Sequence, residues 1–178
     1  RAIPLRTALQ RLFSLSTFCF GKTKERFLLV LLLALPVHAR DQIDQPPISY
    51  MTAPAENPIS RLQKALDAQR TDLDYDPKSG YLKAILKALK IPYESQVLVF
   101  SKTSLQNRNI SPETPRAIYF NDDVYVGAVQ YGDVVEISTA DPKLGTVFYT
   151  LSQDKAQRPA FIRQDHNCLQ CHESSLTN

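Results

Sequence analysis

The stretch Val124-Tyr-Val-Gly-Ala-Val-Gln-Tyr-Gly-Asp-Val-Val-Glu-Ile-Ser138 contains two runs of alternating residues on either side of Tyr131-Gly-Asp133. Alternation with a period of two is typical of β-strands that are buried on one face. The Tyr-Gly-Asp sequence between the two runs has the composition of a tight turn. The stretch therefore predicts two neighbouring antiparallel strands.

Similar runs flank this pair on both sides. Residues 96–101 (Gln-Val-Leu-Val-Phe-Ser) and residues 117–120 precede it, and residues 146–151 follow a second turn at residues 141–145. Short strands joined by tight turns are typical of an antiparallel meander. No segment repeats at a solenoid-like period, so a repeat architecture is not supported.

Two helical patterns precede the strands. The first begins at Pro58, and its apolar positions recur at helical spacing: Ile59, Leu62 and Leu66. The second ends before Pro92 and has one apolar face, formed by Leu82, Ile85, Leu86 and Leu89. These patterns predict two short amphipathic helices. We therefore expect residues 58–160 to form an α+β domain, with the two helices followed by the antiparallel β-meander.

Residues 1–39 resemble a secretory signal peptide in composition. A long basic n-region holds six basic residues and the single acid Glu25, and an uncharged apolar segment then ends in Val37-His-Ala39. The apolar run is shorter than the roughly 20 residues that a membrane-spanning helix needs, and its position disfavours a buried core helix. We expect a leader helix cleaved after Ala39, followed by an exposed proline-rich linker at residues 40–57.

The charge of the chain is unevenly distributed. The whole sequence holds 21 Lys and Arg against 18 Asp and Glu, a formal net charge of +3. Without residues 1–39, 15 basic residues stand against 17 acidic ones, and the formal net charge becomes −2. A nucleic-acid partner requires a basic surface that matches the phosphate backbone. The charge distribution therefore argues against nucleic acid as a partner.

The residues that carry chemistry are Cys168-Leu-Gln-Cys-His172, near the end of the chain. The C-x-x-C-H pattern is the attachment signature of c-type haem, in which two thiols add across the haem vinyl groups and the following His binds the iron. The pattern predicts a covalent haem c on Cys168 and Cys171, with His172 as the proximal iron ligand. Covalent attachment takes place outside the cytoplasm, which agrees with the predicted leader.

Three other interpretations of the cysteine pair are weaker. A dithiol redox site normally begins a helix in a βαβ unit, whereas antiparallel strands precede this pair. A structural zinc site needs four ligands, and the mature chain offers only His166 beyond the motif. A plain disulfide across so short a spacing is sterically awkward. The third cysteine, Cys19, lies in the predicted leader.

The second axial ligand would decide between electron transfer and chemistry at an open iron site. Met51 lies in the expected linker, and His166 is close in sequence to His172, so each fits that role poorly. Lys and Tyr side chains remain possible ligands. The sequence predicts no particular distal ligand.

With the leader, residues 168–172 resemble c-type cytochromes. Residues 98–104 and 110–127 resemble a segment of large, mostly uncharacterised secreted bacterial cytochrome c domain proteins. The first resemblance implies haem c and iron on Cys168, Cys171 and His172, and the second implies no activity. Small single-haem cytochromes c carry the motif near the N-terminus with a Met further on, so their compact helical fold is not expected here.

The ends of the sequence suggest a fragment. The chain opens with Arg1 rather than Met, and only residues 173–178 follow the proximal His. We therefore expect residues 161–178 to be the truncated start of a haem-attachment segment.

Together these observations predict an exported c-type haem protein that acts in electron transfer, in the periplasm or elsewhere outside the cytoplasm. Its expected partners are the cytochrome c maturation machinery and extracytoplasmic redox proteins, with the membrane contacted only through an uncleaved leader. Two alternatives stay open: part of a haem enzyme, such as a multi-haem peroxidase or an oxidoreductase subunit, and a haem-based sensory or binding module. No nucleophile–base or carboxylate pair in residues 94–160 indicates catalysis there.

Overall fold

One antiparallel sheet dominates the computed structural model, which describes residues 45–164, 168, 169 and 172. Its strands are β1 (Val97–Val99), β2 (Arg116–Phe120), β3 (Val124–Val129), β4 (Val134–Asp141), β5 (Gly145–Ser152) and β6 (Phe161–Gln164). Each strand pairs with the next along the chain, in the order β1-β2-β3-β4-β5-β6. The longest ladder joins β4 to β5, from Val134 opposite Ser152 to Asp141 opposite Gly145.

The pleat of the sheet separates its residues into two faces. In the β4–β5 ladder, Ile137 lies opposite Tyr149, and in the β2–β3 ladder Tyr119 lies opposite Val126. These four side chains are buried on one side of the sheet, which we call the covered face. Because successive side chains alternate, the residues between them belong to the opposite face.

Two helices pack on the covered face. Helix α1 (Pro58–Asp67) begins at Asn57, whose side chain accepts from the Ser60 backbone N–H while the Ser60 hydroxyl accepts from the Asn57 N–H. This reciprocal capping satisfies two backbone donors that a helix start leaves without partners. Helix α2 (Leu82–Ala88) is only seven residues long. Ile59 and Ile85, both fully buried, anchor the two helices in the core, and burial of such a side chain contributes about 2 kcal/mol.

The segment before α1 also packs on the covered face. Tyr50 is 2% exposed and Ala53 is 8% exposed, and both belong to the core. Arg163 on β6 fixes the segment: its guanidinium donates to the backbone oxygens of Tyr50 and Ala53 and lies 4.5 Å from the Tyr50 ring centroid. Tyr50 and Ala53 of the expected linker therefore belong to the core, whereas its three prolines, Pro46, Pro47 and Pro54, are exposed.

The predicted α+β class is wrong. Over the described residues the chain is mainly a six-stranded antiparallel sheet, and its helices, ten and seven residues long, serve as a cover for one face. The two short helices were predicted, but the periodicity of the sequence did not indicate that a six-stranded sheet would make up most of the described residues. The expected leader helix lies outside the described residues. Neither helix in the described part has the length and apolar character to cross a bilayer.

Strand β6 was not predicted from the sequence. Residues 161–164, which we expected to begin the haem-attachment segment, pair with β5 from Phe161 opposite Leu151 to Gln164 opposite Phe148. The side chain of Phe161 is buried in the core at this strand. The Phe161 backbone N–H donates to the side chain of Gln63 on α1. The cysteine motif therefore follows directly from an edge strand of the sheet.

Candidate functional site

The second face of the sheet carries the candidate site. Ladder positions that alternate with the core residues place Ile118 opposite Gly127, Gly127 opposite Glu136, and Glu136 opposite Thr150. One step along the same face, Ser138 lies opposite Phe148. We call this surface the cavity face, because neither helix packs against it and a cavity opens on it.

The cavity has a volume of about 530 Å³. Strands β2–β5 form its floor, the loop at residues 102–105 forms one side, and Cys168 and His172 belong to its lining. Ligand-binding cavities in proteins typically measure about 300–1,000 Å³, so this space suits a molecule of cofactor size. The larger lining side chains from the loop and from the cavity face are mostly apolar or aromatic: Leu105, Ile118, Tyr125 and Phe148.

Glu136 holds the loop that forms the side of the cavity. One carboxylate oxygen, Oε1, accepts from the Ser104 hydroxyl and from the Leu105 backbone N–H, each at 2.8 Å. The other oxygen, Oε2, accepts from Arg116 Nη1 at 3.1 Å. Both oxygens are thus used within the protein. The loop is fixed to the floor by a strand residue, so the cavity has a preformed wall.

Arg116 lies beside Glu136 at the start of β2. The side chains of this ion pair are only 15% and 16% exposed, and Arg116 Nη1 also donates to the Thr103 backbone oxygen at 3.0 Å. The Arg116 Nε atom is buried and has no hydrogen-bond partner. A charged donor left in this state is costly, because it has lost water without gaining an acceptor.

Gly127 has no side chain and so leaves space on the floor of the cavity. A Cβ at this position would come no closer than 3.5 Å to Arg116 Cδ, and its next contacts would be with Glu136 at 3.7 and 3.8 Å. These are ordinary van der Waals distances. The glycine is therefore not required by backbone strain, and its effect is to leave room above the two charged side chains.

The structure brings two of the three predicted haem-attachment residues to this cavity. Cys168 is half-buried, His172 is exposed, and both have helical backbone conformation. The His172 ring lies against Phe148, with a centroid distance of 4.8 Å. Leu169 packs instead against the core, which fixes the motif at the edge of the sheet. Cys171 lies outside the described residues.

The residues considered as distal iron ligands differ in whether they line the cavity. Met51 is half-buried and packs against the core, and it is not among the residues that line the cavity. His166 lies outside the described residues. Lys102 and Tyr125, whose residue types were left open as ligands, both line the cavity and are exposed.

The chain was compared with protein-family models, with curated proteins and with solved structures. None matches. Among residues 45–164 and the three described motif residues, no group of three or more His, Cys, Asp or Glu side chains is arranged to hold a metal ion.

Sequence reasoning missed the cavity and its ion pair. The alternation of β4 does place Glu136 on the face opposite Val135 and Ile137, so a charge on the far face could have been read from the sequence. Its pairing with Arg116 could not, because that contact depends on the register across three strands. The loop contact depends on the same register.

Proposed function

We propose that this protein is an exported c-type haem protein that transfers electrons. The observation that carries the proposal is that Cys168 and His172, two residues of a C-x-x-C-H motif, line the same cavity on a rigid sheet. A motif on an unstructured tail would have no wall against which to hold a macrocycle. Here strands β2–β5 supply that wall.

The cavity fits a haem in several respects. Its volume lies in the range of cofactor pockets, and its lining offers aromatic and aliphatic side chains to a flat apolar macrocycle. Phe148 lies against the His172 ring, so the imidazole has a packing partner on the floor. Lys102 and Arg116 bring positive charge to a ligand that carries two carboxylates.

Each motif residue would have a separate role. Cys168 and Cys171 would hold the macrocycle through thioether bonds, and His172 would bind the iron through an imidazole nitrogen. A haem bound in this way supplies one-electron chemistry between Fe(II) and Fe(III). The protein side chains would set its environment, because axial ligation, burial and nearby charge all tune the potential of a haem iron.

The proposed location follows from the sequence. A leader at residues 1–39 would deliver the chain to the periplasm or another extracytoplasmic space, where the cytochrome c maturation machinery attaches haem. Redox proteins in that space would then be the partners. Contact with the membrane would be limited to the leader, if it stays uncleaved.

The deciding experiment is a pyridine haemochrome spectrum of the full chain, matured in a host that assembles c-type cytochromes. We expect a covalent haem that survives acid–acetone extraction. Cys168→Ser and Cys171→Ser should each reduce attachment, whereas Cys19→Ser, which changes a thiol outside the motif, should leave it unchanged. A wild-type protein without covalent haem, with both motif thiols titrating, would overturn the proposal.

A second measurement separates electron transfer from chemistry at the iron. If the oxidised spectrum does not change on addition of cyanide, the sixth position is filled and the carrier role is supported. A strong shift of the Soret band with cyanide means that exogenous ligands reach the iron, and it would replace the carrier role with the enzyme or sensor alternatives.

A further inference from the structure

We infer that Arg116 is the carboxylate-binding residue of the cavity, and that it takes a propionate of the bound haem with help from Lys102. The inference rests on the proposed function, because the haem provides the carboxylate. It adds a residue that lies 52 positions before Cys168 and belongs to no sequence motif. It also assigns an orientation: the propionate edge would lie toward the 102–105 loop and β2.

The guanidinium of Arg116 has hydrogen-bond donors that the protein does not use. Arg carries five N–H donors in a rigid fork. Arg116 Nη1 is used by Glu136 and by the Thr103 backbone oxygen, but the Nε donor is buried without a partner. Buried donors are nearly always satisfied, and a carboxylate that accepts from two nitrogens of one guanidinium is a common arrangement. The protein encloses Nε, so a ligand carboxylate would bind at the adjacent Nη2, which is not buried and donates to no acceptor among the described residues.

Arg116 is held in place before any ligand arrives. Its partner Glu136 is fixed by Ser104 and Leu105, and the exposed fraction of each side chain in the ion pair is small. A donor that is already oriented loses little conformational entropy on binding. Such a rigid guanidinium is suited to recognising a carboxylate.

The described lining of the cavity carries a net positive charge. The charged residues in the described lining are Lys102, Arg116 and Glu136, which leaves one uncompensated positive charge. Lys102 is exposed and lies on the loop, so it can approach a second carboxylate at the rim. The lining therefore favours an anionic ligand over a neutral one.

Arg116 differs in its position from the other described residues that have a buried donor without a partner. Among the described residues, three buried side-chain nitrogens lack a hydrogen-bond partner, and they belong to Gln106, Arg116 and Arg163. Only Arg116 lines the cavity. Arg163 is enclosed by the Tyr50 ring and two backbone oxygens, so its guanidinium has a structural role.

The test uses two iron porphyrins that cannot attach covalently. Iron mesoporphyrin has ethyl groups in place of the vinyl groups, so it forms no thioether bonds, and its dimethyl ester lacks the carboxylates. Both are titrated into the full-length haem-free protein and followed by Soret absorbance. We expect the wild-type protein to bind the dicarboxylate at least about tenfold more tightly than the ester, a typical effect of a charge-assisted hydrogen bond.

Matched variants show which residues cause the preference for the dicarboxylate over the ester. Arg116→Gln should remove most of it, Arg116→Lys should keep part of it because the charge remains, and Lys102→Gln should weaken it less. Lys87→Gln removes an equal charge from an exposed position on α2 and should leave the preference intact. If Arg116→Gln is unfolded by circular dichroism, because Glu136 has lost its partner, the double variant Arg116→Gln/Glu136→Gln replaces it.

The outcomes separate this inference from the proposed function. Equal binding of the acid and the ester by the wild-type protein would overturn the role of Arg116 and leave the haem proposal standing. The same holds if a folded Arg116→Gln protein keeps the full preference. Binding of neither porphyrin, with no covalent haem in the matured chain, would overturn both.

Discussion

The imidazole ring of His172 lies against the phenyl ring of Phe148, with centroids 4.8 Å apart and planes inclined by 37°. Phe148 belongs to the cavity face, between Ser138 on one neighbouring strand and Gln164 on the other. The contact therefore connects the last residue of the C-x-x-C-H motif to the interior of the sheet. It makes Phe148 a positioning residue for His172 in the proposed haem site.

The first prediction concerns this contact. Phe148→Ala removes an aromatic side chain that is 9% exposed, and it should lower the free energy of unfolding by about 3 kcal/mol. It should also remove the ring contact with His172, so a covalently attached haem should show weaker His ligation. The measurements are urea unfolding of the haem-free chain and the pH at which the low-spin spectrum of the holoprotein is lost.

Phe148→Leu is the matched control for that variant. It keeps an apolar side chain over the same strand and should cost about 1 kcal/mol. If Phe148→Ala and Phe148→Leu unfold at the same urea concentration and have the same spectrum, the aromatic contact has no role in holding His172.

The second prediction tests the space above Gly127. Gly127→Ala should be tolerated, with a change in unfolding free energy below about 1 kcal/mol, because the new Cβ makes only ordinary contacts. Gly127→Phe should fold but fill the cavity, and it should abolish binding of iron mesoporphyrin. Soret titration of both variants measures the difference. Undiminished porphyrin binding by Gly127→Phe would show that the ligand site lies elsewhere.

Much of the sheet could be predicted because apolar residues occur at alternate positions along its strands. Residues such as Val135 and Ile137 enter the core at every second position, and this pattern is local. The burial of Tyr50 could not be predicted in the same way. A proline-rich sequence resembles a spacer, and only the tertiary contact with Arg163, more than a hundred residues later, makes the segment part of the core.

The residues of the candidate site also differ in whether the sequence alone predicts them. The spacing of Cys168 and His172 within five residues is a local signal, so the motif could be identified from the sequence alone. The chemical partners that the structure adds, Arg116 and Glu136, are distant in sequence and meet through strand register. No local pattern reports a contact of this kind.

The third prediction compares two glycines with positive φ. Gly80 has φ +58°, and a Cβ there would meet Gln153 Oε1, the acceptor for the Tyr81 backbone N–H. Gly145 has φ +73° and open space around it. Gly145→Ala should cost only the backbone term, about 1 kcal/mol, whereas Gly80→Ala should cost about 1 kcal/mol more because Gln153 must move away. Equal unfolding midpoints for the two variants would contradict this.

The fourth prediction concerns the segment that Arg163 fixes on the covered face. Arg163→Met keeps an apolar stem but removes the donors to the Tyr50 and Ala53 oxygens and the cation over the Tyr50 ring. Amide exchange around residues 50–57 should become at least tenfold faster, while exchange in β4 stays slow. Arg158→Met, which removes a hydrogen bond to the Leu66 oxygen, is the control and should affect the end of α1 instead.

The fifth prediction is a pH dependence that arises at Asp141, which is 5% exposed. Burial raises its pKa, but hydrogen bonds from the backbone N–H groups of Glu56, Lys143 and Leu144 and from the Asn57 amide outweigh burial, so the net pKa lies below the usual value. A carboxylate with a lowered folded-state pKa stabilises the protein above its unfolded-state pKa of about 3.9, and this contribution is lost as the pH falls through the folded value.

Asp141→Asn should therefore destabilise the protein by about 2 kcal/mol at pH 7, because the new amide N–H₂ would face the donors of Glu56 and Asn57. The deficit relative to wild type should shrink as the pH is lowered below about 4, because the unfolded carboxyl group is protonated there while the folded carboxylate stays ionised until a lower pH. Urea unfolding of both proteins between pH 7 and pH 3 measures it, within the range where both fold. A deficit that stays constant down to the lowest pH would mean that Asp141 is not the ionised acceptor that joins the start of α1 to the β4–β5 turn.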